Sequence, residues 1–253
     1  MLAAHTGMLG FNAMATTAHH PNMAKCNHRL TGHVIRRAPA EKVNHPMGLL
    51  HLLINDPLAF VLLCVPLLYS IILHELAHGW VAYRMGDPTA KRLGRLSLNP
   101  LKHLEPIGTL MLFVFGFGWA KPVPVNVNLL REPRKGFIFV SAAGIVANAL
   151  LAFMAFFLNR LLAPSPAGIL APLFYYMAQV NIMLAAFNLI PIPPLDGSKI
   201  LIGLTTGSLR SFLVGLERYG FFIVIGLLYL GVLDPLIAFF RWMILTLIRF
   251  FLP

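Results

Sequence analysis

Residues 69–87 read YSIILHELAHGWVAYRMGD, and within them His74, Glu75 and His78 are of the types and spacing that could do metal chemistry. On a helix, His74 and His78 are at i and i+4, so they stand one above the other on a single face. Their imidazoles can reach one cation, and neutral imidazole suits Zn2+. Glu75 lies one position round the helix from His74. In a His-Glu-x-x-His box such a carboxylate does not ligate; it sits beside the metal-bound water and takes its proton. The chemistry on offer is metal-assisted hydrolysis, with two nitrogen ligands and one general base.

A plainer reading makes the three residues a solvated patch at a helix end, and their position argues against it. Ten positions separate His74 from Arg84, the first charged flank, which is about 15 Å at helical rise. Ionisable groups inside an apolar span are expensive and usually functional. Tyr69 and Pro66, one to two turns upstream, read as ordinary packing and a kink.

A hydrolytic zinc needs a third protein ligand and one open position. The chain has four aspartates, and Asp56, Asp87 and Asp234 fall at the edges of apolar segments. The fourth, Asp196, follows Pro191, Pro193 and Pro194 in FNLIPIPPLDGSK, 187–199. Prolines stop a helix, and non-helical backbone at membrane depth is tolerated only where it is buried or lines a wet cavity. A simple span-ending turn would use the same residues. Topology favours the ligand reading, because Asp196 and the His74/His78 pair are expected at the same end of their spans.

The elements that must carry these residues are membrane helices. Of 253 residues, 58% are apolar and only 11% charged, with a mean hydropathy of +0.75. A soluble domain carries roughly 25% charged residues, so lipid is expected to solvate much of the surface. The net charge of +11 comes from basic residues between apolar segments. That distribution fits the positive-inside rule and anionic headgroups better than nucleic acid. Cys26 and Cys64 provide neither a disulfide framework nor a CxxC site.

Spans of roughly 20 residues are expected near 58–84, 137–159, 169–190 and 220–252. Asp234-Pro235 interrupts the last, which reads as one span or as two short helices. The glycine-rich stretch IGTLMLFVFGFGWA, 107–120, is too short for a span and suits a re-entrant loop, with an extended continuation to about 128. The fold class expected is an all-α polytopic membrane protein, one membrane-embedded domain over 47–253. Residues 1–46 are polar and hold His5, His19, His20, His28, His33 and His45. They read as a disordered tail, with loose metal binding or a true start at Met47 as alternatives. The basic connections 84–105 and 121–136 are expected on the cytoplasmic side, which leaves the basic tail outside unless the chain starts at Met47.

The pair HELAH and NLIPIPPLDG resembles the two signature motifs of the site-2 protease family of intramembrane zinc metalloproteases. GDPTAKRLGRLSLNPLKH and GWAKPVPVN look like its compact prokaryotic branch, and the likeness covers roughly residues 47–230. The resemblance implies one Zn2+ held by His74, His78 and Asp196, with Glu75 as general base. It also implies hydrolysis of a peptide bond in or near a transmembrane segment of a membrane-protein substrate, in the cytoplasmic membrane of a prokaryote, with the site toward the cytoplasm. Asn188 matches the second motif, and Gly144 and Asn148 match a Gly-x-x-x-Asn of the middle core helix. Asn148 and Asn188 are candidates for oxyanion stabilisation or substrate positioning; an interhelical hydrogen bond is the alternative for each. Ile145, Glu105 and Val127 depart from the residues usual in the family, and none touches a ligand. No PDZ-like insertion is present to gate the substrate.

The stretch WAKPVPVN, 119–126, cannot be a helix. It could offer an extended edge to an unwound substrate strand or be a rigid loop. Two further readings come from other classes: a catalytically silent membrane scaffold, and a metal transporter using the His/Asp site. The intact Glu75 argues against the first. The absence of a repeat and of several intramembrane acids argues against the second.

Overall fold

Asp56 and Pro57 open the helix that carries the histidines. The Asp56 carboxylate accepts the Ala59 N–H at 2.9 Å, and Pro57 occupies the first helical turn, where its missing N–H has no intrahelical partner to lose. The computed structural model describes residues 49–115, 118–165 and 168–252. The polar segment 1–46, expected as a disordered tail, lies outside the described residues.

The chain runs through α1 (Leu49–Asn55), α2 (Pro57–Arg84), α3 (Thr89–Arg92), α4 (Pro106–Phe115) and α5 (Pro133–Leu162). It continues through α6 (Leu170–Asn188), α7 (Asp196–Leu204), α8 (Gly207–Glu217), α9 (Gly220–Tyr229) and α10 (Asp234–Phe251). Among the described residues there is no strand. Three helices, α2, α5 and α6, are long and apolar enough to cross a membrane, and α8 with α9 passes the same test as one pair bent by 80°. About a third of each long helix is buried inside the protein, so most of its apolar surface is left for lipid. The molecule is an all-α polytopic membrane protein.

α5 is the central helix, in contact with α2, α6 and α7. Lipid tails are as apolar as leucine, so close packing rather than burial from water must hold such helices together. Small residues allow it: Ala152, Ala178, Ala185 and Ala186 are fully buried. Ala152, Ala185 and Ala186 pack with Ile145, Ile182, Ile244 and Ile248 where α5, α6 and α10 meet. On the other flank, Leu62 and Leu63 of α2 meet Tyr176 and Val180 of α6.

α4 has ten residues, about 15 Å of helix and half of the roughly 30 Å hydrocarbon core. The chain then returns along it as an extended segment. Gly108 lies so close to the Trp119 carbonyl that a side chain there would overlap it. The stretch expected as one span or two helices over 220–252 is two helices here, parted at Leu230–Leu233 with Gly231 at φ 69°. Residues 199–213 cover the end of α7 and the start of α8. α9 reaches back over the site: Phe221 meets Trp119 edge-to-face at 4.9 Å, and Gly220 abuts the Pro193–Pro194 backbone.

Candidate metal centre

Two antiparallel helices face each other in steps of one turn. On α2 the stripe is Ser70, His74 and His78; on α5 it is Asn148, Gly144 and Val140. His78 Nδ1 donates to the Val140 carbonyl at 2.6 Å, and His74 Nδ1 meets Asn148 Oδ1 at 2.6 Å. Between them, a Cβ on Gly144 would overlap His78 Nε2 and lie 2.5 Å from His74 Cε1. Glycine is therefore what lets α5 back directly onto the imidazoles.

The inner nitrogens converge. His74 Nε2 and His78 Nε2 are 3.0 Å apart, and Asp196 Oδ2 lies 3.1 Å and 3.0 Å from them. All three residues are buried, and among the described residues they form the one group of three placed to hold a metal ion. Asp196 opens α7 just after the proline break, and its other oxygen pairs with Lys199 Nζ at 3.0 Å.

The donor set fits a cation. The Val140 carbonyl and Asn148 Oδ1 can only accept, so each Nδ1 carries a proton, and in the neutral form of each ring Nε2 is a bare lone pair. Two lone pairs and a carboxylate oxygen facing one another within about 3 Å repel unless a positive charge lies among them. Nitrogen and oxygen ligands about 2.0–2.1 Å from a tetrahedral zinc stand about 3.3 Å apart, close to the separations found. Second-side hydrogen bonds of this kind orient ligating histidines and raise their basicity.

Glu75 is half-buried on the adjacent face. Its Oε2 accepts the Val123 N–H at 2.7 Å. The Val123 side chain fills the slot left by Gly79, one turn further along α2. The extended segment that supplies Val123 is held at several points. Lys121 N–H donates to the His103 carbonyl at 2.8 Å, and Arg95 Nη2 donates to the carbonyls of Lys121 and Pro122. Asn126 N–H donates to Asp87 Oδ2 at 2.7 Å. Asp87 also accepts the N–H and hydroxyl of Thr89. Burial pushes the Asp87 carboxyl up, and these three donors outweigh it, holding it below the usual carboxylate range.

The structure thus brings His74, His78 and Asp196 together, with Glu75 beside them. Asn148 is not turned toward an open face, as an oxyanion donor would be. Its Nδ2 donates to Asn181 Oδ1 at 2.8 Å and toward the Ser70 carbonyl at 3.4 Å, and its oxygen backs His74. Asn188 donates to the Leu184 carbonyl one turn back along α6 and has no hydrogen bond to the cluster. Sequence reasoning passed over Asn181, Ser70 and the Val140 carbonyl. The first two carried a readable signal: polar residues inside a span, Ser70 one turn before His74. The carbonyl carried none.

Comparison with known proteins points the same way. Residues 163–229 match the model of Peptidase family M50, a stretch that holds Asn181, Asn188 and Asp196. The Bacillus subtilis protein YwhC, which carries a zinc-metalloprotease name, is 42% identical over 192 residues, covering 73% of this chain and 85% of its own length. Rip2 of Mycolicibacterium smegmatis, similarly named, is 30% identical over 175 residues, 67% of each chain. MJ0611 of Methanocaldococcus jannaschii is 31% identical over 146 residues, 57% of this chain and 71% of its own. No solved structure gives a significant match.

Proposed function

The chain belongs to Peptidase family M50, the site-2 protease family of zinc metallopeptidases, and from that premise we propose that it hydrolyses peptide bonds within or beside transmembrane segments of membrane-protein substrates. The observation that carries this reading is the buried convergence of His74 Nε2, His78 Nε2 and Asp196 Oδ2, with the Glu75 carboxylate on the same helix.

In this reading His74, His78 and Asp196 hold one Zn2+. Zinc bound there supplies a Lewis acid that polarises the scissile carbonyl and lowers the pKa of its water to about 7. Glu75 Oε2 is held by the Val123 N–H, which leaves Oε1 to take the proton of the attacking water. The same oxygen then returns that proton to the leaving amine. Lys199 neutralises Asp196 Oδ1 and turns Oδ2 toward the histidines.

An unwound stretch of substrate would lie along 119–126, whose own backbone is already fixed to Glu75, Arg95, His103 and Asp87. The substrate expected is a protein with a single transmembrane segment, not a nucleic acid. The protein would reside in the cytoplasmic membrane of a prokaryote, with the site toward the cytoplasm, where the basic residues between α2 and α5 gather. A scaffold would need neither the bare nitrogens nor Glu75.

Zinc titration of wild type, Asp196→Ala, His78→Ala and Glu75→Gln tests the assignment. The expected result is one zinc per chain in wild type and in Glu75→Gln, with at least 10-fold weaker binding in the other two. Unchanged affinity in Asp196→Ala would remove Asp196 from the site.

A further inference from the structure

Behind the metal centre runs a chain of hydrogen bonds with one direction. The Met177 carbonyl can only accept, so Asn181 turns Nδ2 to it at 2.8 Å and to Ser70 Oγ at 2.8 Å. Asn181 Oδ1 then faces the other way and accepts Asn148 Nδ2 at 2.8 Å. That leaves Asn148 Oδ1 toward His74 Nδ1. Asn148 and Asn181 are wholly buried, so no water can substitute for a lost partner.

The two ends of an amide are nearly alike in shape and opposite in hydrogen bonding. If Asn148 were reversed, it would present a donor to His74 Nδ1. The neutral imidazole would then carry its proton on Nε2, the atom 3.1 Å from Asp196 Oδ2, and could not ligate through it. Ser70 lies one turn from His74, and Asn181 lies on α6, a different helix from either partner.

We infer that Asn181 is a positioning residue for the metal centre: anchored on the Met177 carbonyl, it fixes the orientation of Asn148 and thereby keeps His74 Nε2 bare toward the cation. This rests on the reading of His74 as a zinc ligand. It extends the site to a fourth helix, α6, so that the packing of α6 against α2 and α5 is coupled to metal affinity.

The test is zinc affinity of the full-length protein in detergent, measured by competition with a chromophoric chelator, for wild type, His74→Ala, Asn181→Leu and Asn181→Leu/Asn148→Asp. Asn181→Leu keeps the branching of the side chain and removes both ends of the amide. It is expected to weaken zinc binding about 10- to 100-fold, the usual effect of losing a partner behind a ligand. Adding Asn148→Asp is expected to restore affinity to within about 3-fold of wild type, because a carboxylate faces His74 with an acceptor however it turns. A general loss of packing would not be repaired this way.

Wild-type affinity in Asn181→Leu overturns the inference, as does failure of Asn148→Asp to restore it. If Asn181→Leu does not fold, Asn181→Asp and Asn181→Ser decide. Asp accepts from Asn148 in either protonation state and should bind zinc like wild type. Ser is too short to reach Asn148 and should not, and equal affinities for the two overturn the inference. Absence of zinc from wild type, or its retention by His74→Ala, would instead refute the underlying ligand assignment.

Discussion

The backbone N–H of Val123 lies 2.7 Å from Glu75 Oε2, across 48 residues of sequence. A main-chain donor on an extended segment therefore fixes one oxygen of the carboxylate that stands beside the His74–His78–Asp196 cluster. The same segment is fastened to Asp87 at Asn126, so the turn after α2 and the middle of α2 grip it together.

That contact is separable from metal binding. Val123→Pro removes the N–H in a stretch already extended between Pro122 and Pro124. Zinc affinity should stay within about 2-fold of wild type, and the cleavage rate should fall about 10-fold or more as Glu75 loses its orientation. Parallel zinc titration and turnover assays check both.

Gly144 is the opposite case. A Cβ there overlaps the imidazole of His78 and presses on that of His74, and buried rings cannot swing aside as a surface side chain can. Gly144→Ala should weaken zinc binding at least 10-fold and destabilise the α2–α5 contact by about 1–3 kcal/mol. Chelator competition and thermal unfolding read the two effects.

Asp87 gives a pH dependence with a definite sign. Its carboxyl is held below the ordinary aspartate value of about 3.9 by donors from Thr89 and Asn126. The stability it contributes is therefore fully present above that value and is lost as pH falls through the lower value of the folded protein. Asp87→Asn puts an amide donor against one of those donors and should cost about 2 kcal/mol at pH 7. The difference between wild type and variant should shrink as pH falls below about 4, which thermal unfolding at pH 7 and pH 3 measures.

Metal removal should loosen the junction of α2, α5 and α7, because only the folded state presents the three ligands. Zinc at 100 times its dissociation constant stabilises by about 2.7 kcal/mol. Chelation should lower the unfolding temperature of wild type and of Glu75→Gln alike. It should move Asp196→Ala by about half as much or less.

Much of the centre was legible because helix geometry is periodic. Four-residue spacing alone puts His74 and His78 on one face, and a proline-broken apolar run marks where Asp196 can approach. The rest depended on facts that spacing does not carry. Which face of α6 meets α2 decides that Asn181, rather than Asn188, joins the buried chain. Asn148 is close to the site, but its two amide hydrogens have partners on α6 and α2. The Val140 carbonyl and Val123 N–H belong to the backbone and leave no mark on residue identity. The break between α9 and α10 was visible at Asp234-Pro235, whereas the 80° bend between α8 and α9 had no comparable signal.

The most direct test of proteolysis within the membrane is to map the bond that is cut. Purified wild type and Glu75→Gln, each loaded with one zinc, are incorporated in liposomes with a substrate bearing a single transmembrane segment, and the products are identified by mass spectrometry. The expected result is wild-type cleavage in or beside that segment, with cleavage by Glu75→Gln reduced by about 100-fold or more. Cleavage at an undiminished rate by Glu75→Gln, or wild-type cutting confined to the water-soluble part of the substrate, would contradict it.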